Sequence, residues 1–331
     1  MKQYYRKAKG HYDSMVLRNI INPWSALMSL GAVLGGTGAA VLHGNVEPFL
    51  ASIIALFAMF TQLTTNVMHK YFLAVRYKKN HPDDTRIIKT SEGISLISFL
   101  PKIAQVFGLL AIMCGFTIMG MTNLWAIILG IITFGLCYIA ANGKPKFTAS
   151  FWGMLVAFLL MGPVAMAGSC LVEASRDANN GILNWFDLAP ALYMSLIGGT
   201  MGVGCNLMYA FRNQEDPLAP LQIKEQTKRL SPKTVKIVMI ITGIVEMTVS
   251  SAVAFSIATE QDIIWWLIST ACGIGCLAIN LAIVIKLPKK GDEVPEWMMT
   301  LLYIKCFVGG LLALLHFAVI GLPNDAPRDV F

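Results

Sequence analysis

The sequence predicts an all-α, polytopic membrane protein with about nine transmembrane helices. Of its 331 residues, 56% are hydrophobic and only 14% are charged, whereas a soluble domain carries roughly 25% charged residues. The apolar residues also fall into blocks of about 20, which is the length of helix that crosses a bilayer. We therefore expect residues 1–331 to form a single integral membrane domain.

Nine apolar blocks define the predicted spans. The basic segment before the first block lacks the order of charged, apolar and small residues that marks a signal peptide, so we expect the first span to be retained. The predicted spans are 24–42, 48–69, 98–119, 122–141, 150–170, 185–208, 234–257, 262–286 and 298–321.

The distribution of basic residues predicts the orientation, because Lys and Arg accumulate on the cytoplasmic side. With the N-terminus inside and the C-terminus outside, nearly all of the 26 Lys and Arg residues lie in cytoplasmic segments, the exceptions being Arg176, Lys305 and Arg328. The long loops 70–97 and 209–233 then face the cytoplasm, where loops can cover a cavity. We expect a multi-pass protein of the bacterial inner membrane. The net charge of +7 indicates attraction to anionic lipid head groups rather than binding of nucleic acid.

The cysteines and histidines show no metal-binding pattern. All seven cysteines lie inside or at the ends of apolar blocks, and Cys272 and Cys276 are four residues apart rather than in a CxxC motif. The five histidines form no HExxH motif. We interpret the cysteines as small apolar packing residues and expect no zinc site.

The second and sixth predicted spans end in similar polar sequences, each leading into a long basic loop. Asn66 and Lys70 are four residues apart, so a helix places them on one face. Two such helix ends on one side of a bundle predict a shared cavity. The candidate residues at its mouth are Asn66, His69, Lys70, Asn206, Tyr209, Arg212 and Asn213.

Each of these polar residues also has a structural interpretation. Asn66 and Asn206 could form hydrogen bonds between helices, as asparagine commonly does in membranes. Lys70 could extend its ammonium group to the interface, or it could hold a phosphate in place of a metal ion. Arg212 and the loop lysines could serve only to set the orientation.

Three stretches in order support a resemblance to a known family. They are Asn22-Pro23-Trp24-Ser25-Ala26, residues 66–93, and the passage from Tyr138 through Gly143-Lys144-Pro145-Lys146-Phe147 to Gly162-Pro163-Val164. Together they resemble the UbiA superfamily of intramembrane prenyltransferases. Within it they look most like the 1,4-dihydroxy-2-naphthoate polyprenyltransferases of menaquinone synthesis.

The resemblance implies a helical bundle around a central cavity and a defined chemistry. Family members bind a polyprenyl diphosphate through Mg²⁺, which two aspartate-rich motifs hold, and transfer the prenyl group to an aromatic quinone precursor. A metal ion with oxygen ligands stabilises the negative charge of the leaving diphosphate. The expected partners are therefore membrane lipid, a polyprenyl diphosphate and an aromatic acceptor such as dihydroxynaphthoate.

This sequence departs from the family at the metal ligands. Asn66 and Asn206 match the asparagines of the two motifs, and Asn22 stands at the position of a family arginine. The first pair of aspartates is replaced by Lys70 and Leu73, and the second pair by Tyr209 and Asn213. Mg²⁺ is thus implied by the family while its usual ligands are missing. Acidic residues later in the two loops are the remaining candidate ligands: Asp83, Asp84, Glu215 and Asp216.

Two functional hypotheses follow, and the sequence leaves open whether the protein is an enzyme. It could be a prenyltransferase with altered diphosphate recognition, or a non-catalytic membrane subunit that binds an isoprenoid or a quinone. The long basic loops favour a retained anionic ligand, while the missing carboxylates argue against ordinary Mg²⁺-dependent catalysis. A transporter is a weaker alternative, since no clear internal repeat is present.

Glu246 and Lys305 are charged residues inside the seventh and ninth spans. Counted from the inner ends of those helices at roughly 1.5 Å per residue, they lie about 15 and 12 Å deep. Ionisable groups at such depth normally pair or face a polar cavity. An ion pair is possible if the two helices pack together. Alternatively, Lys305 reaches the inner interface and Glu246 bonds to Thr248 or Ser250.

Overall fold

The computed structural model describes residues 20–41, 46–80, 82, 96–122, 124–143, 145–174, 189–212, 230–257 and 263–320. Nine long helices run through these residues, and we label them α1 to α9 in chain order. They are α1 (Ala26–Val41), α2 (Pro48–Asn80), α3 (Leu96–Met121), α4 (Leu124–Asn142), α5 (Phe151–Ala174), α6 (Ala189–Arg212), α7 (Pro232–Ile257), α8 (Ile263–Lys286) and α9 (Glu296–Ile320). Short helical turns precede α1, α5 and α9: Pro23–Ser25, Pro145–Thr148 and Gly291–Glu293.

The structure confirms the prediction of an all-α, multi-pass membrane protein. Eight of the described helices are long and apolar enough to cross a membrane, and the apolar part of α4, Ala126–Asn142, is somewhat shorter. The largest difference from the predicted spans is at α2, which continues to Asn80 rather than ending near residue 69. Beyond the predicted end the helix still packs inside the protein at Ala74, which is 1% exposed, and its last turn carries the exposed Lys78 and Lys79. Hydropathy locates the end of the apolar segment, not the end of the helix.

Helices α1 and α6 lie at the centre of the bundle. In the most apolar window of each, 67% of the residues are buried, against 17% in α3. Helix α1 contacts α2, α5, α6 and α9, and α6 contacts α5, α7 and α9. Helices α3 and α4 both pack on α2, but they touch each other over only a small area.

A close helix contact joins α1 and α9 through glycines. A Cβ atom on Gly31 would meet the backbone of Cys306 and Phe307, and one on Gly310 would meet the backbone of Gly31. Small residues allow membrane helices to approach closely enough for backbone packing. The contact closes the bundle between its first and last helices.

Helix α5 contains a π-helical segment, Leu160–Ala167, around Pro163. Proline has no N–H group to continue the regular hydrogen-bond ladder, so the helix widens here. The widened segment places Leu160 and Met161 at the meeting point of two cavities.

Candidate functional site

Both predicted helix ends line one cavity, which we call the polar cavity. It has a volume of about 150 Å³ and lies between the turn before α1 and helices α2, α4, α5, α6 and α9. Five of the predicted site residues line it, and several unpredicted polar residues join them. The polar side chains are Asn22, Ser25, Gln62, Thr65, Asn66, His69, Thr148, Asn206, Tyr209 and Tyr303.

Asn22 occupies a special backbone position at the entrance to α1. Its φ is 48°, in the left-handed region, which asparagine tolerates better than most side chains. The Asn22 Nδ2 group donates a hydrogen bond of 3.1 Å to the Tyr303 hydroxyl oxygen on α9. This bond holds the buried Tyr303 side chain in the polar cavity. Nothing in the local sequence around residue 303 predicts that this tyrosine belongs to the site.

Asn66 ties α2 to the segment before α1. Its Nδ2 group donates to the carbonyl oxygen of Ile21 at 3.0 Å and to Ser25 Oγ at 2.7 Å. Its Oδ1 atom accepts a 3.2 Å bond from Gln62 Nε2. The amide is thus engaged on both sides, which supports the structural interpretation of this residue.

Asn206 has a similar anchoring contact on α6. Its Nδ2 group donates a 3.0 Å hydrogen bond to the carbonyl oxygen of Thr148, in the short helix before α5. Ser150 then caps α5 by accepting a hydrogen bond from the N–H of Gly153. The two asparagines therefore each fix part of the wall of the polar cavity, Asn66 on α2 and Asn206 on α6.

His69, Lys70 and Tyr209 form a cluster at the edge of the polar cavity. His69 Nδ1 lies 3.2 Å from the carbonyl oxygen of Ala141. Because a carbonyl only accepts, Nδ1 carries a proton, and in the neutral ring Nε2 is then the acceptor. The Tyr209 ring lies 6.4 Å from the His69 ring, and Lys70 Nζ lies 5.8 Å from the Tyr209 ring centroid.

The basic residues near the cavity do not all have the same role. Arg76 donates a 3.0 Å hydrogen bond to the carbonyl oxygen of Gly143 and further bonds to the carbonyl oxygen and Oδ1 of Asn142. A cation at this position caps the C-terminus of α4 and matches the negative end of its dipole. Arg212 is half-buried at the end of α6. Asn213 lies outside the described residues.

The described residues around the polar cavity do not fit Mg²⁺. No Asp or Glu is among the lining residues that the structure describes, and in the described ranges no three His, Cys, Asp or Glu side chains cluster as a metal site. Amide, hydroxyl and imidazole groups replace the carboxylate oxygens that Mg²⁺ prefers. The other candidate ligands, Asp83, Asp84, Glu215 and Asp216, lie outside the described residues.

A second cavity, which we call the apolar groove, continues from the polar cavity. It has a volume of about 280 Å³, and residues of α2, α3, α4 and α5 form most of its lining. The two cavities share Gln62, Thr65, Leu160 and Met161. Its lining residues Phe116 and Ile131 are 66% and 68% exposed, so the groove opens toward lipid between α3 and α4.

Glu246 and Lys305, the two charged residues predicted inside the seventh and ninth spans, lie together in the structure. Lys305 Nζ lies 2.8 Å from Glu246 Oε2 and 2.9 Å from Asn280 Oδ1. Asn280 in turn donates to the carbonyl oxygen of Met239 at 3.1 Å. Helix α8 packs on both α7 and α9. The ion pair between α7 and α9 is therefore supported by Asn280 of α8 rather than by extensive packing of α7 on α9.

The alternative hydrogen bonds for Glu246 do not occur in the structure. The Thr248 hydroxyl donates to the carbonyl oxygen of Ile244, and the Ser250 hydroxyl donates to that of Ser269. Glu246 and Lys305 are 1% and 4% exposed. Lys305 therefore does not extend to the membrane interface.

Comparison with known proteins finds similarity in structure only. No family model and no curated protein matches the sequence. A digeranylgeranylglyceryl phosphate synthase aligns with a TM-score of 0.51 and 14% identity, over 93% of this chain and 99% of the synthase. A UbiA homologue from Archaeoglobus fulgidus, bound to DMAPP and Mg²⁺, aligns with a TM-score of 0.55 and 11% identity, over 91% of this chain and 99% of the homologue. The chain has the fold of UbiA-type membrane prenyltransferases.

Proposed function

We propose that this protein is a membrane prenyltransferase homologue that binds a polyprenyl diphosphate and an aromatic quinone precursor such as dihydroxynaphthoate, in a bacterial inner membrane. The observation that carries the proposal is the continuity between the polar cavity and the apolar groove. An amphiphile with a polar head and a long apolar tail matches that shape. The fold shared with a homologue bound to DMAPP supports it.

The tail of the donor would lie in the apolar groove. Ile54 and Thr65 both line it, and a helical segment of that length spans about 16 Å. Burial of apolar chain there contributes about 25 cal/mol per Å². A longer tail would leave between α3 and α4 into the bilayer.

The head of the donor would lie near Lys70 and Tyr209. When the bond between the allylic carbon and oxygen breaks, its electron pair goes to the diphosphate, and the Lys70 ammonium stabilises that negative charge. The allylic cation that remains would be stabilised by the faces of aromatic rings lining the polar cavity, which include Phe147 and Tyr209.

His69 in its neutral form could take up the proton that such a reaction releases. After the acceptor ring forms its new bond to the prenyl carbon, the ring carbon must lose a proton. In the neutral ring Nε2 is the unprotonated nitrogen, because Nδ1 faces the carbonyl oxygen of Ala141. An imidazole nitrogen of this kind acts as a general base.

A second candidate function is a non-catalytic subunit that binds an isoprenoid or a quinone. The neutral amide and hydroxyl groups that dominate the polar cavity favour it, since they match quinone carbonyl oxygens without any charge. In this case the basic residues would serve only for orientation and capping, as Arg76 does.

An assay on purified protein in nanodiscs separates the two functions. The protein is incubated with a polyprenyl diphosphate and dihydroxynaphthoate, and products are identified by mass spectrometry. Prenylated product that disappears in the His69→Ala variant supports the prenyltransferase. Saturable binding of a menaquinone without any prenylated product supports the non-catalytic subunit. If the protein binds neither the polyprenyl diphosphate nor the menaquinone, both proposed functions are contradicted.

A further inference from the structure

A third cavity, which we call the α7–α9 chamber, lies next to the buried ion pair. Its volume is about 70 Å³, and its lining includes Glu246 and Ser250 of α7, Ser269 of α8 and His316 of α9. The chamber belongs neither to the polar cavity nor to the apolar groove. Among the described residues, Met28 and Met161 alone line both the chamber and the polar cavity.

Glu246 has one carboxylate oxygen for which the described residues provide no partner. Oε2 is bound by Lys305 at 2.8 Å, while Oε1 is buried and lacks any hydrogen bond in the described part of the chain. An unsatisfied buried oxygen is unfavourable, more so when the group is charged. A hydrogen-bond donor in the adjacent chamber would remove this cost.

The volume of the chamber and the charges around it limit which kind of molecule can supply that hydrogen-bond donor. A dry cavity of about 150 Å³ is needed for a ligand the size of benzene, whereas a single water needs only about 10–15 Å³. A quinone ring is therefore too large for a space of about 70 Å³. A metal cation is disfavoured because Lys305 already neutralises Glu246.

We propose that the α7–α9 chamber binds a small cluster of water molecules, one of which donates a hydrogen bond to Glu246 Oε1. The cluster connects the ion pair with the Ser269–His316 contact, in which Ser269 Oγ lies 3.2 Å from His316 Nδ1. Since Lys305 and His316 are eleven residues apart on α9, this hydrated path extends for about 16 Å along the helix. It does not depend on the function proposed for the polar cavity.

The methionines of this protein provide a direct test. Met166 and Met201 line the chamber, whereas Met299 and Met239 line none of the three cavities described above. Burial is matched between Met166 and Met299, which are both 3% exposed, while Met201 and Met239 are 6% and 0% exposed. Radiolysis of bound water oxidises side chains next to it, so Met166 and Met299 should differ only if water occupies the chamber.

The experiment is X-ray radiolytic labelling of the intact protein in nanodiscs with ¹⁸O-labelled water, read by mass spectrometry. We expect ¹⁸O incorporation at Met166 and Met201 to exceed that at Met299 and Met239 by about tenfold, since bound water lies beside the first pair alone. Equal labelling of the two groups would overturn the proposal.

A variant tests whether Glu246 holds the water. Replacing both Glu246 and Lys305 with leucine removes the charges together, which is often tolerated in buried pairs. Labelling at Met166 should then fall to the level of Met299. Undiminished labelling of Met166 in a folded variant would contradict the assigned role of Glu246. If the variant does not fold, the comparison of Met166 with Met299 in the wild-type protein tests whether the chamber holds water.

Discussion

At the scale of single residues, the most demanding feature is the charge buried in the C-terminal helices. Lys305 has Glu246 and Asn280 as its partners, on α7 and α8 respectively. The depth of the two charges along their helices made the pair one of two alternatives that the sequence left open, and the structure contains the pair. Asn280 was not predicted, because its partners are 25 and 41 residues away along the chain.

The Glu246–Lys305 pair predicts strong coupling between the two positions. Lys305→Met should lower the free energy of unfolding by about 3–5 kcal/mol, because Glu246 is left charged and unpaired. Adding Glu246→Gln to that variant should recover much of the loss. The measurement is a double-mutant cycle on thermal unfolding in detergent, and additive effects would show that the residues do not interact.

Lys70 is the residue on which diphosphate recognition depends in the proposed function. Lys70→Met should weaken binding of a polyprenyl diphosphate about tenfold, equivalent to about 1.4 kcal/mol, because the ammonium beside Tyr209 is lost. Lys78→Met is the matched control, since Lys78 is exposed near the end of the same helix. Equal weakening by both variants in a binding titration would indicate a general charge effect.

At the scale of helices, the close contact between α1 and α9 depends on two glycines, Gly31 and Gly310. Gly310→Ala should lower the free energy of unfolding by about 1–3 kcal/mol, because the added Cβ meets the backbone of Gly31. Gly120→Ala on α3 is the control, since its Cβ meets nothing within 4 Å. There, helix propensity should raise stability by about 0.5–1 kcal/mol. Similar results at both positions would argue against tight α1–α9 packing.

The apolar groove between α3 and α4 offers an equally matched pair of positions. Gly130 and Gly135 both lie on α4, and a Cβ on either meets nothing within 4 Å, but only Gly130 lines the groove. Gly130→Leu should therefore fill the groove and weaken isoprenoid binding about tenfold, whereas Gly135→Leu should leave it unchanged. A titration in which the two variants bind alike would place the tail elsewhere.

At the scale of the whole molecule, the bundle was more predictable than the site. Apolar blocks of bilayer length gave nine spans that correspond to α1–α9, because hydropathy is a local property of the chain. The two similar polar helix ends predicted a shared cavity, and Asn66 and Asn206 both line one cavity in the structure.

Features that depend on distant partners could not be predicted in this way. Tyr303 joins the site through a hydrogen bond to a residue 281 positions away. Arg76 carries a charge typical of a cytoplasmic loop, yet it caps α4 through Asn142 and Gly143. The widened turns around Pro163 likewise could not be linked to a site from the sequence, because the cavities they border form between distant helices.

In the proposed function the protein binds a polyprenyl diphosphate through the polar cavity and the apolar groove, with basic side chains in place of Mg²⁺. Its most direct test is the affinity for that lipid, measured in nanodiscs with EDTA and with Mg²⁺ at two salt concentrations. We expect equal affinity with and without the metal, and weaker binding at high salt because exposed charges are screened. A strict requirement for Mg²⁺, or no binding under any of these conditions, would contradict it.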